Sequence, residues 1–190
     1  MGTTMTTADV AYIRANYAPL EELCATRRET AADIRALIGT RLLPRASYVL
    51  PDETEMFPRD FFALLDDAGE PELLRAEFER RYRGNEPDED WDGYLSGVYG
   101  VCLREVTPET ITRKGRLVAR IEAMLAAPRP HDAGWLARLR AAVDELDALE
   151  RPFSPDYDRT RFGRPPSRDT LISAPRRRYS ELWAAVTQEA

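Results

Sequence analysis

The sequence predicts a mainly helical protein, a helical bundle with one small β-hairpin in its N-terminal part. Apolar residues recur at helical spacing through most of the chain, and prolines and capping residues separate the helical segments. Only one stretch has the two short extended runs around a turn that are typical of paired strands. With 190 residues, 43% of them hydrophobic and 32% charged, the chain has the length and composition of a folded protein with a buried core.

The N-terminal part is predicted to begin with helices. Residues 8–23 have a helical pattern that Pro19 interrupts, and a short helix restarts over residues 20–25. Thr30 is a suitable N-cap for a second helix over residues 31–43, and the proline that follows ends it.

A hairpin is predicted after these helices. Residues 47–50 and 55–57 form short runs on either side of a turn over residues 51–54. Pro58 then begins another helix that extends to Leu65, because proline is favoured in the first turn of a helix.

Helix, turn, helix, hairpin and helix is the element order of a winged helix-turn-helix. We therefore treat residues 1–65 as a winged-helix-like module and residues 66–190 as a helical domain with an Arg/Pro-rich C-terminal loop, the two packed as one unit. Residues 20–62 also resemble the DNA-binding module of the mercury-regulator (MerR-like) transcription factors. The residues that carry this resemblance are Arg35, Leu42-Leu43-Pro44, Tyr48 and Phe57-Pro58-Arg59-Asp60.

The MerR-like resemblance implies that helix 31–43 enters the major groove of DNA while the hairpin contacts phosphate. The sequence departs from that pattern in its charges. Asp33 lies in the helix, and three acidic residues lie between residues 52 and 55 of the hairpin, where they oppose phosphate. These acidic residues favour a scaffold or interaction module over a DNA-binding one.

The second part of the chain is predicted to consist of helices. Residues 71–83 form an amphipathic helix, and residues 107–125 and 135–149 form two longer ones. Residues 91–103 are predicted to be a single buried helix that carries no charge after its first two residues. Its glycines are costly in a helix interior, which indicates close approach of a neighbour or a ligand.

Charge is distributed unevenly along the chain, whose net charge is −6. Residues 66–110 carry 5 basic against 13 acidic side chains, and residues 151–190 carry 8 against 5. The segment 151–169 has no periodicity and contains five Arg, four Pro and three aromatic residues. Two interpretations stay open: a structural strap whose arginines pair with the acidic segment 86–92, and a clamp that binds a carboxylate or phosphate ligand.

Three motifs together resemble a family of small bacterial proteins of uncharacterised function associated with natural-product biosynthesis gene clusters. They are Ser47-Tyr48-Val49-Leu50-Pro51, the run from Tyr94 to Leu103, and Arg151-Pro152-Phe153-Ser154-Pro155-Asp156-Tyr157-Asp158. The resemblance covers most of residues 10–173. It implies a place in secondary metabolism and names no reaction.

Two functions follow as hypotheses. In the first, the protein binds or transforms a small polar intermediate between helix 91–103 and loop 151–169. The candidate catalytic residues are Tyr94, Tyr99 and Glu105, and the candidate binding residues are Trp91, Cys102, Tyr157, Arg159, Arg161 and Arg168. In the second, the protein is a winged-helix DNA-binding regulator of a biosynthetic cluster. Whether the protein is an enzyme stays open.

The remaining composition excludes several classes of site. His131 is the only histidine, which argues against a histidine metal site or a catalytic triad. Cys24 and Cys102 do not form a CxxC pair and are expected to be buried on helices of a cytoplasmic protein. We expect no metal, no cofactor and no membrane partner. A nucleic-acid partner is disfavoured, and a homodimer is left open.

Overall fold

The computed structural model describes residues 4–180 and residue 183, and it is mainly helical with one small three-stranded antiparallel sheet. The elements of the N-terminal part are α1 (Thr7–Asn16), β1 (Tyr17–Pro19), α2 (Leu20–Leu23), α3 (Ala31–Gly39), β2 (Tyr48–Val49), β3 (Glu55–Pro58) and α4 (Ala63–Ala68). Strand β3 lies in the centre of the sheet, with β1 on one side and β2 on the other. The predicted hairpin is confirmed as β2 and β3.

The predicted interruption at Pro19 is a short strand, and the helix restarts at Leu20. The chain is extended at Tyr17–Pro19, where Tyr17 and Ala18 are buried and pair with Pro58 and Phe57 of β3. This strand escapes sequence analysis because its partner is distant along the chain and its three residues show no alternation.

Capping side chains determine where the two N-terminal helices begin. The Thr6 side chain accepts a hydrogen bond from the Asp9 backbone, and the Asp9 carboxylate accepts one from Thr6. Thr30 and Asp33 form the same reciprocal pair at α3. Asp33 therefore stabilises the helix start. Helix α3 ends earlier than predicted, because Arg41 adopts a left-handed φ of 61° that a helix does not allow.

The second part of the chain contains the longer helices. Its elements are a 3₁₀ turn (Pro71–Leu73), α5 (Leu74–Arg81), α6 (Pro87–Leu95), α7 (Val98–Cys102), α8 (Pro108–Ala126), α9 (Ala133–Leu149), α10 (Tyr157–Arg161), a π-helix (Arg168–Ser173) and α11 (Ala174–Arg178). Helices α8 and α9 confirm the two long helices predicted from the apolar stripe. Residues 1–3, 181–182 and 184–190 of the predicted module and domain lie outside the described residues.

The predicted helix 91–103 is two helices. Helix α6 ends at Leu95 and α7 begins at Val98, because Gly97 between them has a φ of 79° that belongs to the left-handed region. A Cβ at Gly97 would lie 2.5 Å from the carbonyl oxygen of Arg45. The glycine therefore allows close approach of a neighbouring backbone. Such an approach was expected from sequence, because glycine in a helix interior lowers stability.

The acidic segment 86–92 is the start of a helix and not a solvated loop. Pro87 occupies the first turn of α6, and acidic side chains follow it there, where the positive end of the helix dipole favours them. The proposed pairing of this segment with the Arg-rich strap is wrong. Arg41 binds Asp92 at 2.6 Å, and Arg75 binds Asp88, so two of its five acidic side chains pair with arginines that precede the segment.

Three clusters of buried side chains connect the elements. The largest lies under α2 to α6 and includes Leu20, Ile34, Phe57, Phe78 and Trp91. A second fills the space between α8, α9 and the π-helix, and a third joins α1, the sheet and α7. Both parts of the chain contribute to the first and third clusters. Among the described residues, no helix combines the length and apolar character needed to cross a membrane.

Candidate functional site

Two chain segments that are distant in sequence meet at the ends of α7 and α9. Leu103 and Glu150 form an isolated antiparallel bridge. The Arg151 backbone N–H donates to the Cys102 carbonyl at 2.9 Å, and the Arg104 N–H donates to the Leu149 carbonyl at 3.0 Å. This pairing brings Cys102 and Glu150 to the same place.

The chain's only lysine completes this cluster. The Lys114 ammonium lies 3.0 Å from Oε1 of Glu150, whose side chain is fully buried. The hydroxyl of Ser167 donates to the same oxygen at 2.6 Å. Helix α8 carries Lys114 into position, and its start is fixed by the Thr107 cap followed by Pro108.

Burial and charge set the protonation of this cluster. Burial alone would lower the pKa of Lys114, but the neighbouring Cys102 and Glu150 outweigh it and raise the pKa of Lys114 above its usual range. Burial also raises the pKa of the Cys102 thiol. The ammonium of Lys114 therefore stays charged beside its ion-pair partner Glu150.

A cavity of about 450 Å³ lies against this cluster, between α7, α8 and the segment 153–171. Most of its wall is apolar and is formed by Val98, Val101, Val118, Phe153, Phe162 and Leu171. Its polar wall is formed by Cys102, Lys114, Glu122, Arg164, Ser167 and Thr170. Glu122, Phe162 and Arg164 are exposed and form a rim, whereas Cys102 and Leu171 are buried and belong to the floor.

The cavity has the properties of a small-molecule site. Its volume lies within the usual range for such sites, and a few polar groups converge in a mainly apolar wall. The π-helix Arg168–Ser173 forms part of the wall, and π-helical turns are frequent at functional sites. Among the described residues, no group of three or more His, Cys, Asp or Glu side chains is arranged to hold a metal ion.

Comparison with known proteins identifies one family. A family model described as a family of unknown function, DUF6058, matches residues 67–180. The chain belongs to the DUF6058 family. The DUF6058 match contains the whole cavity, while the N-terminal sheet lies outside it. No curated protein and no solved structure matches the chain, so the comparisons add nothing to the natural-product and MerR-like resemblances.

Of the nine site residues predicted from sequence, Cys102 lines the cavity of this DUF6058 protein. Trp91 and Tyr94 are buried and stacked on each other, with ring centroids 5.5 Å apart, and both rings contact Phe78. Burial, followed by the charge of Asp60, raises the pKa of Tyr94. These two aromatic residues belong to the core of the DUF6058 protein.

Tyr99 and Glu105 lie away from the cavity wall. The Tyr99 hydroxyl donates to Asp90, which also accepts from Tyr82, and burial together with Asp90 raises the pKa of Tyr99. The Glu105 side chain is exposed in the connection between α7 and α8. The three residues predicted as catalytic are therefore not brought together.

The predicted binding arginines all have partners within the protein. Arg159 pairs with Asp169 at 3.3 Å, and Arg168 pairs with Asp147. The Arg161 guanidinium lies over the rings of Tyr48 and Tyr157 and donates to the Ser47 carbonyl at 3.0 Å. The contacts of Arg161 and Arg168 fix the segment 153–171 to the body of the DUF6058 protein, whereas the Arg159 pair lies within the segment. None of these arginines is part of the cavity wall.

Sequence analysis missed Lys114, Glu150 and Ser167. One signal for Lys114 was present, because it is the only lysine in a chain that otherwise uses arginine. Glu150 and Ser167 carried no comparable signal. Their placement depends on the bridge between the ends of α7 and α9, which no local pattern predicts.

Proposed function

We propose that this DUF6058 protein binds a small, largely apolar molecule in the cavity between α7, α8 and the segment 153–171. The observation that carries the proposal is the ion pair that Lys114, a residue of the cavity wall, forms with the fully buried Glu150. Replacing a buried ion pair with apolar side chains often leaves stability unchanged or improves it. An ion pair of this kind beside a cavity is therefore better explained by recognition of a ligand than by stability.

The proposal keeps the location inferred from sequence and changes both the residues and the character of the ligand, from a small polar intermediate to a largely apolar molecule. The ligand lies between the region 91–103 and the region 151–169, as the first hypothesis placed it. Its polar contacts are Lys114 and Ser167, in place of the tyrosines, and its apolar contacts include Val101 and Phe153. This arrangement supports binding of an intermediate and leaves catalysis outside the proposal.

A thermal-shift screen tests the proposal. Binding raises the melting temperature by mass action, so a ligand of the cavity stabilises the wild-type protein. Val118→Trp fills the cavity from α8 and should abolish the shift. Ala119→Trp, at the next and exposed position of the same helix, is the matched control and should retain it. Compounds that stabilise wild type and Val118→Trp equally would contradict binding in this cavity.

The place in secondary metabolism is part of the proposal and is supported by the sequence motifs alone. We expect a producing strain whose only copy carries Val118→Trp to lose the same metabolites as a strain that lacks the gene. A strain with Ala119→Trp should retain them. An unchanged metabolite profile after deletion would contradict the biosynthetic role.

We propose a scaffold role for the N-terminal module. Arg35, the arginine of the MerR-like pattern, is held by Glu21 at 2.7 Å and by Glu55 at 2.9 Å. Asp52 and Glu53 are exposed at the hairpin turn, where they would face phosphate. A gel shift at low salt should show no binding of promoter DNA at micromolar protein. Sequence-specific binding there would instead support the regulator hypothesis.

A further inference from the structure

The polar floor of the cavity contains a donor that the protein does not use. A lysine ammonium has three N–H donors. Among the described residues, Lys114 interacts with Glu150 and with the sulfur of Cys102, and no other partner is present. One N–H therefore remains for a ligand, because Lys114 is part of the cavity wall.

The long axis of the cavity follows helix α8. Lys114, Val118 and Glu122 are separated by four positions each and so lie on one face of the helix. At 1.5 Å per residue, the three side chains follow a path of about 12 Å along the helix axis from the floor to the exposed rim. A bound molecule therefore has one end at Lys114, an apolar middle at Val118, and its other end at the rim.

The charges near Lys114 limit which chemical group of the ligand can bind at that end of the cavity. Lys114 already neutralises Glu150, and both groups are buried. A ligand carboxylate would place a second negative charge beside the same ammonium, and like charges that share a site oppose ionisation. A carbonyl oxygen accepts the free N–H and adds no charge.

We propose that the floor of the cavity binds the uncharged carbonyl group of an amide, ketone or ester and discriminates against carboxylates. This inference rests on the proposed function and names the class of ligand for the same site. The carbonyl oxygen accepts from the Lys114 ammonium, and the apolar body of the ligand lies against Val101, Val118 and Leu171. The protein thus recognises the acyl derivative of an acid and not the free acid.

Cinnamamide and cinnamate provide a test, because the two probes share a shape and differ in charge at the carbonyl end. Selective ¹⁵N labelling of lysine gives a single side-chain signal, that of Lys114, which reports binding at the floor directly. We expect cinnamamide to shift this signal and to bind wild type at least about tenfold tighter than cinnamate.

Glu150→Gln should reverse the preference. It leaves the Lys114 ammonium without its counter-ion, so the floor becomes positive and cinnamate should bind tighter than cinnamamide. The double variant Lys114→Met/Glu150→Gln removes both charges and should weaken binding of cinnamamide. Ala119→Trp, outside the cavity, should leave both affinities unchanged.

The wild-type comparison decides the inference even where a variant fails to fold. Equal binding of the two probes, or tighter binding of cinnamate, would overturn the carbonyl preference and leave the proposed binding function intact. Absence of binding by both probes at millimolar concentration would also overturn the carbonyl preference. The proposed function would be overturned separately, if the thermal-shift screen found no compound that stabilises wild type and fails to stabilise Val118→Trp.

Discussion

The hydroxyl of Tyr48 donates a 2.6 Å hydrogen bond to the carboxylate of Asp158 and so joins the N-terminal sheet to α10. Both side chains are buried, and the same carboxylate oxygen also accepts from the backbone N–H of Ser154 at 2.8 Å. Tyr48 lies outside the DUF6058 match and Asp158 lies inside it. The N-terminal part therefore holds the segment that closes the cavity.

Tyr48→Phe should destabilise the protein by about 1 to 3 kcal/mol, because the buried carboxylate of Asp158 loses a hydrogen-bond donor. Urea denaturation measures the change. Tyr157→Phe is the control, since the half-buried Tyr157 hydroxyl makes no hydrogen bond among the described residues, and it should alter stability by less than about 0.5 kcal/mol. Equal effects of the two substitutions would contradict the importance of the Tyr48 bond.

Asp9 should make stability depend on acid pH. Burial alone would raise its pKa, but the backbone N–H groups of Asp156, Tyr157 and Thr6 outweigh burial and lower the pKa of Asp9 from 3.8 to about 2. Because the folded pKa lies below the unfolded one, the stabilisation is complete above about pH 4 and is lost as the pH falls through 2. The charged Asp9 carboxylate contributes about 2 kcal/mol to the free energy of unfolding at neutral pH.

Denaturation of Asp9→Asn against wild type from pH 7 to pH 2 checks this prediction. The difference in unfolding free energy should be largest near neutral pH and should shrink as the pH falls. Glu72→Gln, at an exposed position without a hydrogen bond or ion pair among the described residues, should show no such trend. A difference that stays constant with pH would rule out the charge of Asp9 as the cause.

Lys114→Met should destabilise the protein by about 3 to 5 kcal/mol, because it leaves the carboxylate of Glu150 buried without its counter-ion. The double variant Lys114→Met/Glu150→Gln should recover most of the loss, since Ser167 can still bind the side chain at position 150. Thermal and urea denaturation of the two variants give the comparison. A double variant as unstable as the sum of the single ones would show that the residues do not interact.

Gly97→Ala should cost more than Gly69→Ala, although both glycines have a φ of 79°. The positive φ alone costs about 1 to 2 kcal/mol in each case. A Cβ at Gly97 also lies 2.5 Å from the Arg45 carbonyl oxygen, whereas nothing lies within 4 Å of a Cβ at Gly69. Chemical denaturation should place the difference at about 1 to 3 kcal/mol, and equal costs would argue against the close approach.

Local sequence patterns predicted the helices and strands that depend mainly on neighbouring residues in the chain. Helices α8 and α9 follow from their apolar stripes, the start of α3 follows from Thr30, and the hairpin follows from its turn. Strand β1 and the break at Gly97 could not be predicted in this way. Both depend on backbone partners elsewhere in the chain, β3 for the strand and Arg45 for the glycine.

The cavity lies between the two regions named in the first hypothesis, but its wall contains only one of the residues predicted for the site, Cys102. The two regions that enclose the cavity were identified, because one had costly glycines and the other had aromatic residues in an aperiodic segment. The predicted arginines and tyrosines contact other residues of the protein, such as Asp147 for Arg168 and Asp90 for Tyr99. Lys114, Glu150 and Ser167 come from three separate parts of the chain, and local sequence patterns do not predict that their side chains meet.

The burial of Lys114 also determines how the protein responds to chemical labelling. Every other basic side chain apart from His131 is arginine, so the protein surface presents guanidinium groups and no side-chain primary amine. An acylating or reductively alkylating reagent therefore has Lys114 as its only side-chain target, with 15% of that side chain exposed. The rate at which such a reagent modifies this one position measures how accessible the Lys114 ammonium is to molecules in solution.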